Sequence, residues 1–149
     1  MPALSIRPSI GVAEYVALVA IWRRAVDATH GFLAAADRDE IEDRLASDYF
    51  PAVDLSVAER DGRPVAFSGV ADGGLEMLFV DAAERGSGIG TALLTHAINE
   101  QGVTGVDVNE QNAPAVRFYV RHGFVVAGRS DTDEAGRPYP LLHLRLSAT

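Results

Sequence analysis

Residues 75–91 read LEMLFVDAAERGSGIGT, an apolar strand that enters a glycine-rich turn and continues directly into a helix. Glycines at 86, 88 and 90 let a ligand approach the backbone without obstruction by a Cβ atom. The first N–H groups of the following helix have no intrahelical partner, and the helix dipole places its positive end there. Arg85 adds a guanidinium that can bind two oxygens of a diphosphate. The segment therefore predicts a site for a phosphate-bearing ligand.

A glycine turn alone is weak support for such a site, because many strand-to-helix turns use glycine for geometry. Two nucleotide-binding motifs are excluded by spacing. The segment lacks the lysine of the G-x-x-x-x-G-K-[ST] loop, and it does not match the G-x-G-x-x-G dinucleotide fingerprint. The turn also follows predicted antiparallel strands in mid-chain, whereas a Rossmann domain is expected to begin with a βαβ unit.

The sequence before this segment predicts a short opening strand at 3–7, two helices and then antiparallel strands. Apolar residues recur at helical spacing from Val12 to about Thr29. Asp37 is the candidate N-cap of a second helix over about 38–49. β-rich runs separated by Asp-Gly turn signals then predict three strands, at 53–59, 64–70 and 75–80.

The sequence after the turn alternates again. Helical spacing returns over 86–101, and Gly102 supplies a C-terminal stop. A short buried strand is predicted at 103–108, and Asn112 is predicted to cap a helix that runs to Arg121. A closing hairpin is predicted from the two runs 124–127 and 141–146. This order of elements predicts a mixed α/β (α+β) domain.

Composition favours one domain with a core of its own. The chain has 149 residues, of which 48% are hydrophobic and 23% charged, so we interpret 1–149 as a single domain. No stretch reaches the roughly 20 apolar residues of a membrane helix, and the N-terminus lacks a signal-peptide pattern, so a cytoplasmic protein is expected. Cysteine is absent, which excludes disulfides, thiolate metal sites and a cysteinyl acyl intermediate.

Charge and histidine spacing narrow the ligand classes. The formal net charge is −8 and Lys and Arg do not cluster, which argues against a nucleic-acid partner and suits a cationic acceptor better. The four histidines, at 30, 96, 122 and 143, show no ligand spacing such as H-E-x-x-H. No metal site is predicted.

A second motif lies downstream, at residues 112–124, which read NAPAVRFYVRHGF. Residues 85–90 resemble the acetyl-CoA signature [QR]-x-x-G-x-[GA] of the GNAT N-acetyltransferase superfamily, and the second block resembles its N-x-x-A-x-x-x-Y…GF segment. Two motifs in the right order are more specific than either alone. The resemblance extends over nearly the whole chain to the bacterial YjaB-type GNAT proteins, through VDATH at 26–30, VNEQN at 108–112 and GRPYPLL at 136–142.

This resemblance implies a GNAT fold, a mixed sheet of six or seven strands with flanking helices. Two central parallel strands would splay apart in a V and admit the pantetheine arm of acetyl-CoA, with its diphosphate on the glycine turn. Backbone groups of Phe79 and Val80 would pair with pantetheine like an added strand. The turn residues expected to bind the co-substrate are Arg85, Gly86, Ser87, Gly88, Ile89, Gly90 and Thr91. Dimers are common in the superfamily, so the resemblance leaves a homodimer open.

Two side chains are candidates for proton transfer. Attack on a thioester requires a neutral amine, yet a lysine-like amine has a pKa near 10.4, so a base is needed. Glu76 lies in an apolar strand where desolvation raises a carboxyl pKa, and the resemblance places general bases near this strand. Its alternative is a plain solvent-facing position. Tyr119 is the candidate donor to the departing thiolate, a role that rests chiefly on the resemblance, because its helical position equally suits core packing.

The remaining candidates each have a local alternative. Asn112 is a helix N-cap, to which the resemblance adds hydrogen bonds to pantetheine, and Asn109 is a pantetheine contact or a turn residue. His30 and Phe32 follow the first helix, where GNAT proteins form a wall of the acceptor cleft, so we expect them to face the substrate. Tyr139 is a candidate for the opposite wall, and Trp22 is interpreted as core.

The resulting hypothesis is an N-acetyltransferase that moves an acetyl group from acetyl-CoA to a primary amine in a ternary complex. The acceptor is left open among a protein lysine, a protein N-terminus and small-molecule amines, because fold does not determine it. The alternative is a regulatory protein that binds acyl-CoA without catalysis. A plain structural module would leave the paired motifs unexplained.

Overall fold

The computed structural model describes residues 4–147, and a seven-stranded mixed sheet in the order β1-β2-β3-β4-β5-β7-β6 organises them. The strands are β1 (Leu4–Pro8), β2 (Asp54–Arg60), β3 (Arg63–Ala71), β4 (Gly74–Val80), β5 (Gly105–Asn109), β6 (Phe124–Ser130) and β7 (Leu141–Leu146). The α-helices are α1 (Tyr15–Thr29), α2 (Ala35–Arg44), α3 (Ile89–Gln101) and α4 (Ala113–Arg121). The predicted fold class and strand number are confirmed.

Short helical turns complete the chain, at Val12–Glu14, Leu45–Tyr49, Phe50–Ala52 and Ala82–Glu84. The predicted opening strand includes Ala3, which lies outside the described residues; the observed strand runs from Leu4 to Pro8. Two-residue turns with positive φ join β2 to β3 at Asp61-Gly62 and β3 to β4 at Asp72-Gly73, as the Asp-Gly signals predict.

Helices cover both faces of the sheet, and alternate strand residues reach opposite layers. Val57 and Phe67 pack under α1 with Leu18 and Trp22, and Trp22 is 3% exposed, so its predicted core position is correct. The neighbouring residues of β2 and β3 instead contact α3, through Ala58, Ala66, Ile89 and Leu93. Period-two alternation thus buries both faces of the central strands.

Two details of the helices differ from the sequence predictions. Val16, one of the apolar residues whose helical spacing predicted α1, is 83% exposed, whereas Leu18 and Ile21 are buried. The N-cap of α2 is Ala34, not Asp37. Asp37 lies in the first turn of α2, where its carboxylate accepts a hydrogen bond from the Tyr139 hydroxyl. A distant tertiary contact therefore takes the side chain that local capping rules would use.

The two parallel strands separate shortly after they meet. Within the described sheet, β4 and β5 pair at Gly74 with Gly105 and at Leu75 with Val106, and no further along. On its other side β4 pairs with β3, and the register shifts because Leu75 lies opposite Val70 whereas Met77 lies opposite Gly69. Glu76 is the extra residue of this β-bulge, and a bulge bends its strand and redirects a side chain. The V-shaped gap begins at this residue.

Candidate active site

A cavity of about 590 Å³ occupies the gap between β4 and β5 and extends to the N-terminus of α3. It is lined by β4, by the glycine turn and by α4, including Arg85, Gly88, Asn112 and Tyr119. The predicted co-substrate residues Phe79, Val80, Gly86, Ile89, Gly90, Thr91 and Asn109 also line it. Ser87 does not line this cavity; its hydroxyl donates to the carbonyl of Glu84 at 2.5 Å and shapes the turn.

The glycine turn leaves its backbone open to the cavity. Gly86 and Gly88 have φ of +79° and +82°, a region that glycine adopts without strain, and a Cβ at either position would meet nothing within 4 Å. The first intrahelical hydrogen bond of α3 joins the Ala92 N–H to the Gly88 carbonyl. The three amides before Ala92 therefore have no helical acceptor, and they carry the positive end of the helix dipole.

The pairing of β4 with β3 decides which backbone groups face the gap. The N–H of Asp81 donates to the Val65 carbonyl on β3, so by alternation the Phe79 groups also face β3, opposite Phe67. The N–H and C=O groups of Leu78 and Val80 face the gap. The backbone of Phe79, predicted to pair with pantetheine, therefore faces β3, because each residue of a strand directs both groups to the same side.

Several predicted residues already have partners inside the protein. The Asn112 side chain accepts from the Ala115 N–H at 3.3 Å, so its predicted N-cap role is confirmed. The Thr91 hydroxyl lies 3.2 Å from His122 Nε2, which ties α3 to α4 and leaves the Thr91 N–H for a ligand. Asn109 accepts from the Gln111 N–H at 2.9 Å in a turn at the end of β5.

Tyr119 is buried on α4 and contributes to the wall of this cavity. Its ring packs edge-on against Phe118 and Phe124. Burial raises the pKa of the phenol above its usual value near 10, so the hydroxyl keeps its proton at neutral pH. The side chain is therefore both a packing element and an available hydrogen-bond donor.

A second cavity, of about 540 Å³, lies on the α1 and α2 side of the sheet. Phe32 and Tyr139 line it, and the Tyr139 hydroxyl donates to Asp37 and accepts from the Ala34 N–H at 3.1 Å. The two cavities share six lining residues, namely His30, Glu76, Met77, Phe79, Asp107 and Asn109. The sheet gap is thus continuous with the cleft beside α1.

Glu76 lies at this junction with its side chain exposed to the cleft. Partial removal from water raises the pKa of the carboxyl, and the carboxylates of Glu134 and Asp107 add to the rise. Both causes disfavour the charged form. The bulged position and the acidic surroundings give Glu76 a greater tendency to accept a proton than an ordinary glutamate has.

Residues 51–126 match the family described as the acetyltransferase (GNAT) domain. This chain belongs to the GNAT acetyltransferase family. It is 48% identical to the peptidyl-lysine N-acetyltransferase YjaB of Salmonella typhimurium over 128 residues, which are 85% of this chain and 88% of that protein. Identity to YjaB of Escherichia coli is also 48%, over 129 residues that cover 85% and 86% of the two chains. The sequence-based prediction of an N-acetyltransferase is confirmed.

The fold of this GNAT acetyltransferase matches a solved relative closely. The solution structure of apo YjaB from Escherichia coli superposes with a TM-score of 0.89 at 43% identity and covers 99% of both chains. The predicted resemblance to YjaB-type proteins is therefore correct.

Sequence reasoning missed two charged residues that line these cavities. Arg121, in the last turn of α4, lines the sheet-gap cavity, as Arg85 does. Asp107 lines both cavities, and His143 Nδ1 lies 2.6 Å from its carboxylate. Arg121 could have been noticed in the sequence as a basic residue in the last turn of a predicted helix. No local pattern marks Asp107, because its place depends on where β4 and β5 separate.

Proposed function

We propose that this enzyme transfers an acetyl group from acetyl-CoA directly to the side-chain amine of a lysine in a protein. The observation that carries the proposal is the junction of the two cavities at Glu76. An acyl donor in the sheet gap and an amine in the α1 cleft would meet there. The names of the two YjaB relatives, both peptidyl-lysine N-acetyltransferases, support the choice of acceptor.

The residues of the sheet gap fit acetyl-CoA. The open turn at Gly86 and Gly88 and the free amides at the start of α3 suit a diphosphate, with Arg85 and Arg121 as counter-charges. Leu78 and Val80 offer backbone groups to the amides of the pantetheine arm. When bound, acetyl-CoA supplies a thioester carbon that an amine can attack.

The walls of the second cavity suit a lysine side chain. Its apolar lining, which includes Trp22, Phe32 and Met77, can pack against the four methylenes. Carboxylates of Asp107, Asp133 and Glu134 line the same cavity and attract an ammonium group. Glu76 accepts the first proton from that ammonium, either directly or through a water, because a lysine with a pKa near 10.4 is otherwise charged at neutral pH.

Tyr119 donates a hydrogen bond to the leaving sulfur. The pKa of a phenol lies above the value of about 8.5 for a thiol, and burial raises the pKa of Tyr119 further. The bond therefore stabilises the thiolate as the C–S bond breaks, and the sulfur takes up a proton as the product forms. The chain has no cysteine, so an acyl-cysteine intermediate is excluded, and direct transfer in a ternary complex is the route proposed here.

The test is an acetyl-transfer assay with peptides that carry one lysine and a blocked N-terminus. Because the enzyme has no cysteine, a thiol reagent reports released CoA without background from the protein. Mass spectrometry locates the acetyl group. A peptide with the lysine blocked and the N-terminus free is the matched control, and spermidine tests small amines.

Acetylation of the lysine peptide, lost on blocking the lysine, supports the proposal. Transfer only to the free N-terminus or to spermidine contradicts the choice of acceptor and keeps the enzyme class. Calorimetric binding of acetyl-CoA without transfer to any of these amines indicates the alternative, a protein that binds acyl-CoA without catalysis.

A further inference from the structure

His30 ends α1 at the junction of the two cavities, and its hydrogen bonds define which ring nitrogen carries the proton. The Thr29 hydroxyl donates to the Ala25 carbonyl at 2.8 Å, so its hydrogen is already used. The same oxygen lies 2.7 Å from His30 Nδ1 and can there act only as an acceptor. Nδ1 therefore carries the N–H, and Nε2 keeps its lone pair.

The neighbour of His30 Nε2 is consistent with a lone pair on that nitrogen. The Asn112 side chain accepts at its oxygen from the Ala115 N–H, so its amide nitrogen is free to donate. That nitrogen lies 3.5 Å from His30 Nε2, a long contact that a ligand of the sheet gap can replace. The hydrogen-bond pattern on both sides of the ring thus specifies a neutral imidazole whose basic nitrogen points toward Asn112 and the cavities.

The surroundings of the ring favour this neutral form. Phe32 and Phe79 lie against it, with ring centroids 5.3 and 6.4 Å away. Its two hydrogen-bonding side chains among residues 4–147, Thr29 and Asn112, are uncharged. Burial lowers the pKa of His30 below its usual value of 6.5. At neutral pH the imidazole is therefore available as a proton acceptor.

Proton counting shows why a second acceptor is needed. The lysine nitrogen begins with three protons as an ammonium and ends with one as an amide, so two protons leave it. The C–N bond forms as the C–S bond breaks, and the sulfur gains one proton. Glu76 takes the first proton before attack and releases it to solvent only after the acetyl group has been transferred. The second leaves as the nitrogen becomes cationic during C–N bond formation, and Glu76 is by then protonated.

We propose that His30 Nε2 is the acceptor of this second proton. This inference rests on the proposed function and adds to it a base on α1 that is distinct from Glu76 on β4. The proton count closes when the His30 imidazolium gives up its proton through water and the sulfur, which accepts a hydrogen bond from Tyr119, takes one up. Thr29 is a positioning residue, because its hydroxyl holds the ring in the tautomer that the step requires.

The first experiment measures the tautomer of His30 by ¹⁵N NMR of the imidazole in the free protein and needs no activity. The expected spectrum shows Nδ1–H at neutral pH and protonation below pH 6.5. Thr29→Val, which removes the acceptor of the Nδ1–H, is expected to reduce the population of this tautomer, whereas Thr29→Ser keeps it. An Nε2–H tautomer in the wild type overturns the proposal.

The second experiment measures acetyl transfer and its rescue. His30→Ala is expected to lower kcat about 100-fold with the Kd of acetyl-CoA unchanged, as for loss of a general base. Added imidazole is expected to restore kcat in a dose-dependent manner. Phe32→Ala is the matched control, since it opens the same cavity without removing a base and should show no rescue. His30→Gln, which keeps an acceptor atom but no basic nitrogen, should remain slow.

The outcomes separate this inference from the proposed function. Wild-type activity together with a His30→Gln kcat within about 2-fold of wild type overturns the role of His30 alone. Failure of the wild type to acetylate any amine overturns both. Equal imidazole effects on His30→Ala and Phe32→Ala also contradict the role, because they indicate a general effect of imidazole on the cavity.

Discussion

The Arg24 guanidinium binds both carboxylate oxygens of Asp81, through Nη2 to Oδ2 at 2.7 Å and Nε to Oδ1 at 3.0 Å. This pair joins the middle of α1 to the residue that follows β4. Asp81 also accepts from the Ala83 N–H at the start of the turn that leads to Arg85. The contact therefore fixes α1, which lines the second cavity, relative to the glycine turn.

Loss of this pair is expected to weaken co-substrate binding more than it weakens the fold. Arg24 is half exposed, so Arg24→Met should cost no more than about 1 kcal/mol in the free energy of unfolding. The Kd of acetyl-CoA, measured by calorimetry, should rise severalfold because the turn is less constrained. Arg23→Met is the control, since Arg23 pairs with Asp27 and Glu42 away from the turn. Equal Kd values for the two variants contradict the prediction.

Two glycines of the turn should respond differently to alanine. Gly88→Ala places a side chain at φ +82° in the N-cap of α3, which costs roughly 1–2 kcal/mol and puts a methyl where the ligand approaches. At Gly90 a Cβ would make ordinary contacts of 3.6 Å and more with the Phe118 ring. Calorimetry should show lost acetyl-CoA binding for Gly88→Ala and near-normal binding for Gly90→Ala. Similar losses at both positions would argue that bulk anywhere in the turn blocks binding.

Tyr119→Phe isolates the proposed hydrogen bond to sulfur. The substitution keeps the ring that packs against Phe118 and Phe124, so it should leave the melting temperature nearly unchanged. We expect kcat to fall about 100-fold with an unchanged Kd for acetyl-CoA. Because the pKa of Tyr119 lies above 10, ionisation of this residue should not reduce the wild-type rate below pH 10. A variant with full kcat would show that Tyr119 serves packing alone.

Glu76→Gln should lower activity without lowering stability. The carboxylate accepts a proton only when ionised, so wild-type kcat/KM should rise with pH through the raised pKa of Glu76, above 4.5. Since the folded state disfavours the charged form, ionised Glu76 lowers the free energy of unfolding at neutral pH, and glutamine removes that charge. The expected result is a kcat/KM about 100-fold lower and a melting temperature equal to or above wild type. A destabilised variant would contradict this account of the pKa shift.

The buried Glu14 predicts acid sensitivity at the other side of the sheet. Hydrogen bonds from Arg7, and then from the Ile10 N–H and Ser9, lower the pKa of Glu14 despite its burial. This stabilisation is complete above the unfolded pKa near 4.5 and is lost as pH falls through the lower folded value. Arg7→Met should cost roughly 2 kcal/mol at pH 7, less than a fully buried pair, because two donors remain. Urea unfolding of both proteins at pH 7 and pH 3 should show the difference shrinking in acid.

The fold was predictable because its signals are local. Helical spacing defined the bodies of α1 and α3, Asp-Gly pairs marked the hairpins, and Asn112 and Gly102 occupy the caps that their residue types favour. The turn residues of the candidate site were predictable for the same reason, since 85–91 are contiguous. Asp37 failed as a cap because Tyr139, distant in sequence, binds its carboxylate.

The junction of the two cavities at Glu76 could not be predicted from the sequence. The bulge at Glu76 inserts one residue without disturbing the apolar pattern of β4, so nothing local shows which backbone groups turn to the gap. For this reason the sequence predicted that the backbone groups of Phe79 face the gap, whereas in the structure those of Leu78 do. The contact of His30 with Asn112 likewise depends on how α1 lies against α4, which periodicity does not report.

The hydrogen bond between Tyr139 and Asp37 belongs to a part of the enzyme that can evolve at a different rate from the glycine turn and α4. It joins α2 to the segment between β6 and β7, whereas the glycine turn and α4 build the other cavity. Insertions or substitutions in α2 and in the 131–140 segment would reshape the entrance for the incoming amine and leave the cavity between β4 and β5 intact. Descendants of this sequence could therefore acquire new acceptors through changes in two surface segments, while the glycine turn and α4 are inherited unchanged.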